Sequence, residues 1–208
     1  MTKTLSTGIE VLDRELDGGL PAGRILALSA SPVSQSELFL YEMAAVRPTV
    51  YLTTERTEEA VLDGLERTGT STDDVDVHRI TPSDPIGEAI DAIETLPEAG
   101  TLIVDPMRLF EETGSNDYRT FMNNLKTRTA ESGGLTLLHC LEGRRVPDQR
   151  DRTEYLADII FDLTTEIRGG TMENSLSIPK FRGGQALPES VDLDLTADVT
   201  IDVTRKIA

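Results

Sequence analysis

The sequence predicts an α/β fold: a mainly parallel sheet flanked by helices, with antiparallel strands added at the C-terminal end. Three observations carry this. Through residue 141, short β-branched or apolar runs alternate with stretches of helical period, the pattern of parallel strands joined by crossover helices. From residue 159 the runs are strand-like with no helix between them, which suggests antiparallel additions at one edge. At 24–40 an apolar strand passes through a loop of small residues straight into an apolar helix.

The elements follow in order. Residues 8–16 read as a helix capped by Ser6 or Thr7, with Ile9, Leu12 and Leu16 on one face. The run Gly18-Gly19-Leu20-Pro21-Ala22-Gly23 is a turn-rich break. A strand at about 24–29 precedes a helix at about 36–46. Thr49–Thr53 is a β-branched strand, and Thr57 caps a helix reaching about Thr68. Val75–Ile80 is a strand. Asp84-Pro85 supplies a cap and a proline at the first helical position, opening a helix to Leu96. Thr101–Asp105 is a buried strand ending in a carboxylate. Asn116 to about Ser132 is a long helix and Leu135–Leu141 a strand. Residues 142–153 read as a charged, mobile loop and Glu154–Ala157 as a helical turn. Ile159–Ile167, Met172–Pro179 and Val199–Thr204 read as strands. The 208 residues suit one domain, with a core at about 5–184 and a linker plus terminal strand at 185–208.

Composition narrows the function. The net charge is −17, and only Lys3, Lys126, Lys180 and Lys206 are lysines. The acidic residues are spread along the chain, as in surfaces adapted to molar salt, where self-repulsion is screened. A salt-loving archaeal cytoplasm is therefore the expected setting. The charge argues against binding a phosphate backbone. No apolar stretch is long enough for a membrane span, and the first residues lack a signal core. The one cysteine, Cys140, excludes an internal disulfide and fits a reducing compartment.

The segment 24–40 has the strand–loop–helix setting of the phosphate-binding loop G-x-x-x-x-G-K-[ST] but none of its chemistry. Laid over that motif without a gap, its glycines become Ala30 and Gln35. Its lysine becomes Ser36, and its metal-binding Ser/Thr becomes Glu37. Glycines let consecutive N–H groups converge on phosphate oxygens. Here Ala30, Ser31, Pro32, Val33, Ser34 and Gln35 supply none. A carboxylate at about 4 Å from a phosphate charge costs about 4 kcal/mol at an effective dielectric of 20. Losing the lysine removes an attraction of similar size.

Several segments together resemble the KaiC-like branch of the RecA superfamily of P-loop ATPases. They are Leu5-Ser6-Thr7-Gly8-Ile9 with Leu12-Asp13, Gly18 to Arg24, Tyr51-Leu52-Thr53-Thr54-Glu55, Leu102-Ile103-Val104-Asp105, Glu154 to Asp158, and Lys180-Phe181-Arg182-Gly183-Gly184. The resemblance implies a RecA-like P-loop NTPase fold. It also implies that Glu55 stands where a catalytic carboxylate orients water, and Asp105 where a carboxylate holds metal-bound water. Lys180 and Arg182 would form a basic finger directed at a neighbouring subunit.

With the loop emptied, Glu55 and Asp105 are expected to be vestigial. Asp105 would bond the loop through the Ser34 or Ser36 hydroxyl, and Arg56 would pair with Glu55. Glu37 would cap its own helix. Lys180 and Arg182, at i and i+2, share a strand face and would meet an acidic surface such as Glu37 or Glu55 of the next subunit. His139 and Cys140 point to opposite strand faces, so they do not chelate together. No Ser–His–Asp set or zinc pattern stands out. The expected function is a non-catalytic regulatory or scaffold subunit without metal or cofactor, whose partner is itself or an active KaiC/RecA-like paralogue. The alternatives are an ATPase holding ATP by non-standard contacts and a recombinase-like DNA-repair accessory.

Overall fold

The computed structural model describes residues 3–184, 187–196 and 199–201. Their eleven strands and seven helices run β1 (Thr4–Leu5), α1 (Glu10–Glu15), β2 (Leu20–Pro21), β3 (Arg24–Ala30), α2 (Glu37–Ala45), β4 (Thr49–Thr53), α3 (Glu58–Arg67), β5 (Val75–Arg79), α4 (Pro85–Glu94), β6 (Thr101–Asp105), α5 (Arg108–Glu111), α6 (Ser115–Ser132), β7 (Leu135–Leu141), α7 (Arg150–Leu156), β8 (Ile159–Arg168), β9 (Thr171–Phe181), β10 (Val191–Leu195) and β11 (Val199–Ile201). β1 and β2 form a small ladder. The other nine strands form one sheet in the order β11-β10-β9-β8-β3-β7-β6-β4-β5. Strands β3 to β8 run parallel, and β9, β10 and β11 add antiparallel at one edge.

The parallel strands are apolar on both faces because helices cover both. Alternate residues feed two cores. Leu26, Leu28, Tyr51 and Ile103 join α1, α2, α3 and the antiparallel strands. Ile25, Ala27, Leu52 and Val104 join α4, α5 and α6 on the opposite face. There Phe110 and Phe121 stack with ring centroids 4.0 Å apart. Thr57 caps α3 by accepting from the Ala60 N–H, and Asp84 caps α4 by accepting from Gly87, with Pro85 opening the helix. Gly8 has φ +85°, and a Cβ there would lie 2.2 Å from the Glu42 carbonyl oxygen, so α2 packs against that turn only if the residue is glycine.

Three local expectations change. Ser6 and Thr7 do not cap α1, which starts after Ile9; both hydroxyls bond the Asp13 carboxylate instead. The stretch expected as a mobile charged loop folds from Arg150 onward into α7. The reason is a long-range ion pair: the buried Arg150 guanidinium grips Glu111 at 2.8 and 2.9 Å, and Thr153 donates to the same carboxylate at 2.6 Å. The segment expected as a linker contains β10, which pairs with β9 through Val191↔Leu176. The last expected strand is observed to Ile201; its remainder lies outside the described residues. Among the described residues no helix is long and apolar enough to cross a membrane.

Removing one partner of a buried ion pair strands the other charge. Arg150→Ala should therefore lower unfolding stability by about 3–5 kcal/mol, measured by denaturant titration. A loss within about 0.5 kcal/mol, the range of surface substitutions, would show that Arg150 is solvated rather than buried.

Candidate functional site

In an open α/β sheet, ligands bind outside the carboxyl ends of the parallel strands. Here that edge is formed by β3, β4, β6 and β7, and it is filled by the protein's own side chains.

The loop between β3 and α2 folds on itself. Ser34 directs both its N–H and its hydroxyl to the Ser31 carbonyl, at 3.0 and 2.6 Å. The N–H groups of Leu38 and Phe39 bond back to the carbonyls of Gln35 and Ser36. Pro32 has no N–H to offer, and Val33 points outward, 84% exposed. Such a loop offers no cradle of convergent donors. Ser36, at the position of the missing lysine, is buried at the start of α2. Its hydroxyl makes no cap bond and instead meets His139 Nε2 at 2.9 Å.

Asp105 is the centre of the site. Its Oδ1 lies 2.6 Å from His139 Nδ1. Its Oδ2 accepts from the Tyr51 hydroxyl at 2.6 Å and from Arg56 Nη2 at 2.6 Å. Arg56 also donates to the hydroxyls of Tyr51 and Tyr41, and its guanidinium lies 5.8 Å from the Tyr41 ring centroid. Burial alone would push the Asp105 carboxyl up. Its hydrogen bond and charge contact with His139, and the Arg56 charge, more than offset this and hold it well below the usual carboxylate range. Burial and the neighbouring carboxylate push the Tyr51 phenol well up, so it stays a neutral donor. An ionised carboxylate only accepts, so His139 donates from Nδ1 to Asp105, and its Nε2 faces the Ser36 hydroxyl.

Sequence reasoning missed this arrangement. Arg56 turns away from Glu55 and pairs with Asp105, because Asp105 is buried and needs a cation. Ser36 reaches Asp105 through His139 rather than directly, and Ser34 bonds its own loop. The signal was present in the strand register. Asp105 and His139 are each the fifth residue of neighbouring parallel strands that start level, Thr101 opposite Leu135. A Ser36–His139–Asp105 set is thus assembled after all. It is not a hydrolytic one: Ser36 is 1% exposed, so no substrate reaches its hydroxyl.

The other expected site residues separate into two groups. Glu55 is exposed in the bend after β4, outside the Asp105 cluster, and Glu37 opens α2 beside a cleft of ≈ 390 Å³ that Arg56 also lines. Lys180 and Arg182 lie at the opposite edge of the sheet, where Lys180 pairs with Ile160 near the start of β8. Lys180 Nζ donates to the carbonyls of Glu154 and Tyr155 at 2.6 and 3.0 Å, and Arg182 donates to Tyr155 at 3.0 Å. Both cations therefore serve the carboxyl end of α7, where the helix dipole favours positive charge. They also flank the exposed Tyr155 ring at 5.8 and 5.7 Å. Burial and the adjacent Arg182 lower the Lys180 pKa.

The residues do not fit a metal–nucleotide pair. Both Asp105 oxygens already accept protein donors and the carboxylate is buried, so its charge is neutralised from within by Arg56 rather than presented to a magnesium ion. Among the described residues no group of three or more His, Cys, Asp or Glu side chains is arranged to hold a metal ion.

The depressed Asp105 pKa gives stability a pH dependence of defined sign. The network contributes fully above the unfolded-state value of about 3.9 and is lost as pH falls through and below it. Denaturant midpoints should drop on acidification more steeply for the parent than for Asp105→Asn, which is the less stable protein at neutral pH. Parallel curves would mean that Asp105 carries no linked proton.

Comparison with known proteins fits this architecture. The crystal structure of a KaiC-like protein, PH0186, from the hyperthermophilic archaeon Pyrococcus horikoshii OT3 superposes with a TM-score of 0.79, covering 97% of this chain and 99% of that one at 13% identity. At that identity the likeness establishes a shared fold, the KaiC-like RecA fold. No curated protein matches the sequence. A family model described as a family of unknown function (DUF7125) matches residues 4–208. The chain belongs to this family, DUF7125.

Proposed function

We propose that the chain is a non-catalytic member of the KaiC-like RecA fold, acting through protein contacts as a regulatory or scaffold subunit. The saturation of Asp105 by His139, Tyr51 and Arg56 carries this reading. At the sheet edge where an active relative would place phosphate and metal, the positive charge is internal and covalently tethered. Arg56 takes over the neutralising role that a bound cation would have, and Glu37 adds negative charge where phosphate would sit.

The partner is a second copy or an active paralogue of the same fold. Lys180 and Arg182 support this. Beyond steadying α7 they remain partly exposed around Tyr155, and such a basic–aromatic patch stands out on a chain of net charge −17. That net charge speaks against a DNA-binding accessory role. An ATPase using other contacts would have to expel Arg56 from a site where it is bonded to Tyr41, Tyr51 and Asp105.

Calorimetry tests the reading. ATP, ADP and GTP, each with magnesium in molar KCl to match the acidic surface, should give no binding heat with the parent protein. Micromolar binding of any of the three would overturn it. A Ser36→Lys, Glu37→Thr variant measured beside it should still bind weakly, because Arg56 continues to occupy Asp105; tight binding by this double variant would show that the loop alone empties the site.

A further inference from the structure

Six large apolar side chains stand exposed among the described residues, and they are not scattered. Val46 and Tyr155 stand where α2 and α7 end, at the amino edge of the sheet. The other four, Val33, Val146, Ile167 and Met172, all lie along the carboxyl edge. Val33 belongs to the loop after β3, and Val146 to the loop after the neighbouring strand β7. The two loops lie together, since a Cβ on Gly143 would meet Pro32 Cγ at 3.9 Å.

Ile167 and Met172 sit on a hairpin that overhangs this edge. β3 pairs with β8 only as far as Leu163, and β10 reaches along β9 only to Asn174. From Leu163 to Arg168 the hairpin projects about 16 Å at ~3.3 Å per residue. Its two faces differ. The face that packs the core at Leu163↔Leu176 continues through Thr165↔Asn174 to Ile167↔Met172, which are 76% and 57% exposed. The other face carries Glu166, Arg168 and Glu173, where Arg168 is paired to both carboxylates. The tip is thus apolar on the side of α2 and polar on the opposite side.

We infer that two copies of this chain pair carboxyl edge to carboxyl edge, with their overhanging hairpins overlapped on the Ile167–Met172 faces. The symmetry is a two-fold axis in the plane of the sheet and across the strands. Such an axis reverses the strands and exchanges the two faces of the sheet. The apolar side of one hairpin therefore meets the apolar side of the other, and the Glu166–Arg168–Glu173 faces remain in solvent. Charge fits the same operator. Glu37 opens α2 on one face of the sheet. Arg144 and Arg145 lie in the loop that crosses to α5 on the other face, where the Arg145 carbonyl accepts from Arg108. Among the described residues neither Arg144 nor Arg145 is in an ion pair. Exchanging the faces brings Glu37 of each copy to the arginine loop of the other. The area is also sufficient. From β9 to β4 the edge is about 24 Å long at ~4.8 Å per strand and, with a helix layer on each face, about 25 Å deep. That is roughly 600 Å², and the overlapped hairpins bring it near the ~800 Å² per partner of a standard interface. The contact is isologous, so it closes at two copies, and it covers the Asp105 end of both sheets. This rests on the reading of the chain as a protein-contact subunit, and names its partner.

Sedimentation in nucleotide-free molar KCl, where the acidic surfaces are screened, tests the pairing together with cysteine cross-linking. The parent should show a monomer–dimer equilibrium with nothing larger. Ile167→Asp, an exposed change that leaves the circular dichroism intact, should weaken it by about tenfold or more, and Val46→Asp at the amino edge should not. Because a two-fold contact sets each tip against its own copy, full-length Met172→Cys alone should form a disulfide-linked dimer at least about tenfold faster than Val46→Cys; the native Cys140 is buried and does not compete. A parent that stays monomeric at high concentration overturns the pairing, as do assemblies that grow beyond two copies or equal cross-linking of the two variants. Each of these leaves the protein-contact reading standing with another partner, whereas that reading itself falls to nucleotide binding in the calorimetry above.

Discussion

A carboxylate buried at the end of a central strand must be given a positive partner, and the way Asp105 obtains one organises the whole carboxyl edge of this sheet. Desolvating an isolated carboxylate is prohibitive, so three donors converge on it from three elements: His139 from β7, Tyr51 from β4 and Arg56 from the bend after β4. Each donor recruits another group. Arg56 draws the Tyr41 hydroxyl of α2, and His139 draws the Ser36 hydroxyl at the start of the same helix. The amino end of α2, which in a phosphate-binding fold would face a ligand, is thereby tied to the sheet through two routes.

The same network explains the loop chemistry. The residues between β3 and α2 include no glycine, and their backbone N–H groups do not converge on one point. They turn back on Ser31, while Val33 projects into solvent. The carboxyl edge combines a neutralised core with exposed acids, and the amino edge gathers Lys180 and Arg182 around the end of α7 and Tyr155. An overhanging hairpin at the carboxyl edge makes the molecule polar along its strands.

Much of this was legible in the sequence where the determinants are local. Thr49–Thr53, Thr101–Asp105 and Leu135–Leu141 are strands with the bounds their apolar runs suggest. Thr57 and Asp84 are caps because a side-chain oxygen three residues before a free N–H needs nothing from the rest of the fold. What could not be read depends on distant partners. Arg56 beside Glu55 looks like a surface pair until β6 brings Asp105 next to it. Arg150 sits in a run of charges that reads as solvated until Glu111, in a short helix with no clear periodicity of its own, turns out to be buried opposite. Lys180 and Arg182 looked free to reach outward because the carbonyls at the end of α7 that they bond are more than twenty residues away. The Ser36–His139–Asp105 relay follows from strand order, which no local pattern encodes.

Asp105 is satisfied by the protein's own donors, His139, Tyr51 and Arg56. The Nδ1–H proton of His139 reports on this directly, since it is buried and bonded to the Asp105 carboxylate. In nitrogen-labelled protein, this proton should be a slowly exchanging, downfield resonance whose position does not move when magnesium and ATP are added to millimolar levels in molar KCl. A resonance that shifts or vanishes on that addition would place a metal or nucleotide at Asp105 and contradict the account.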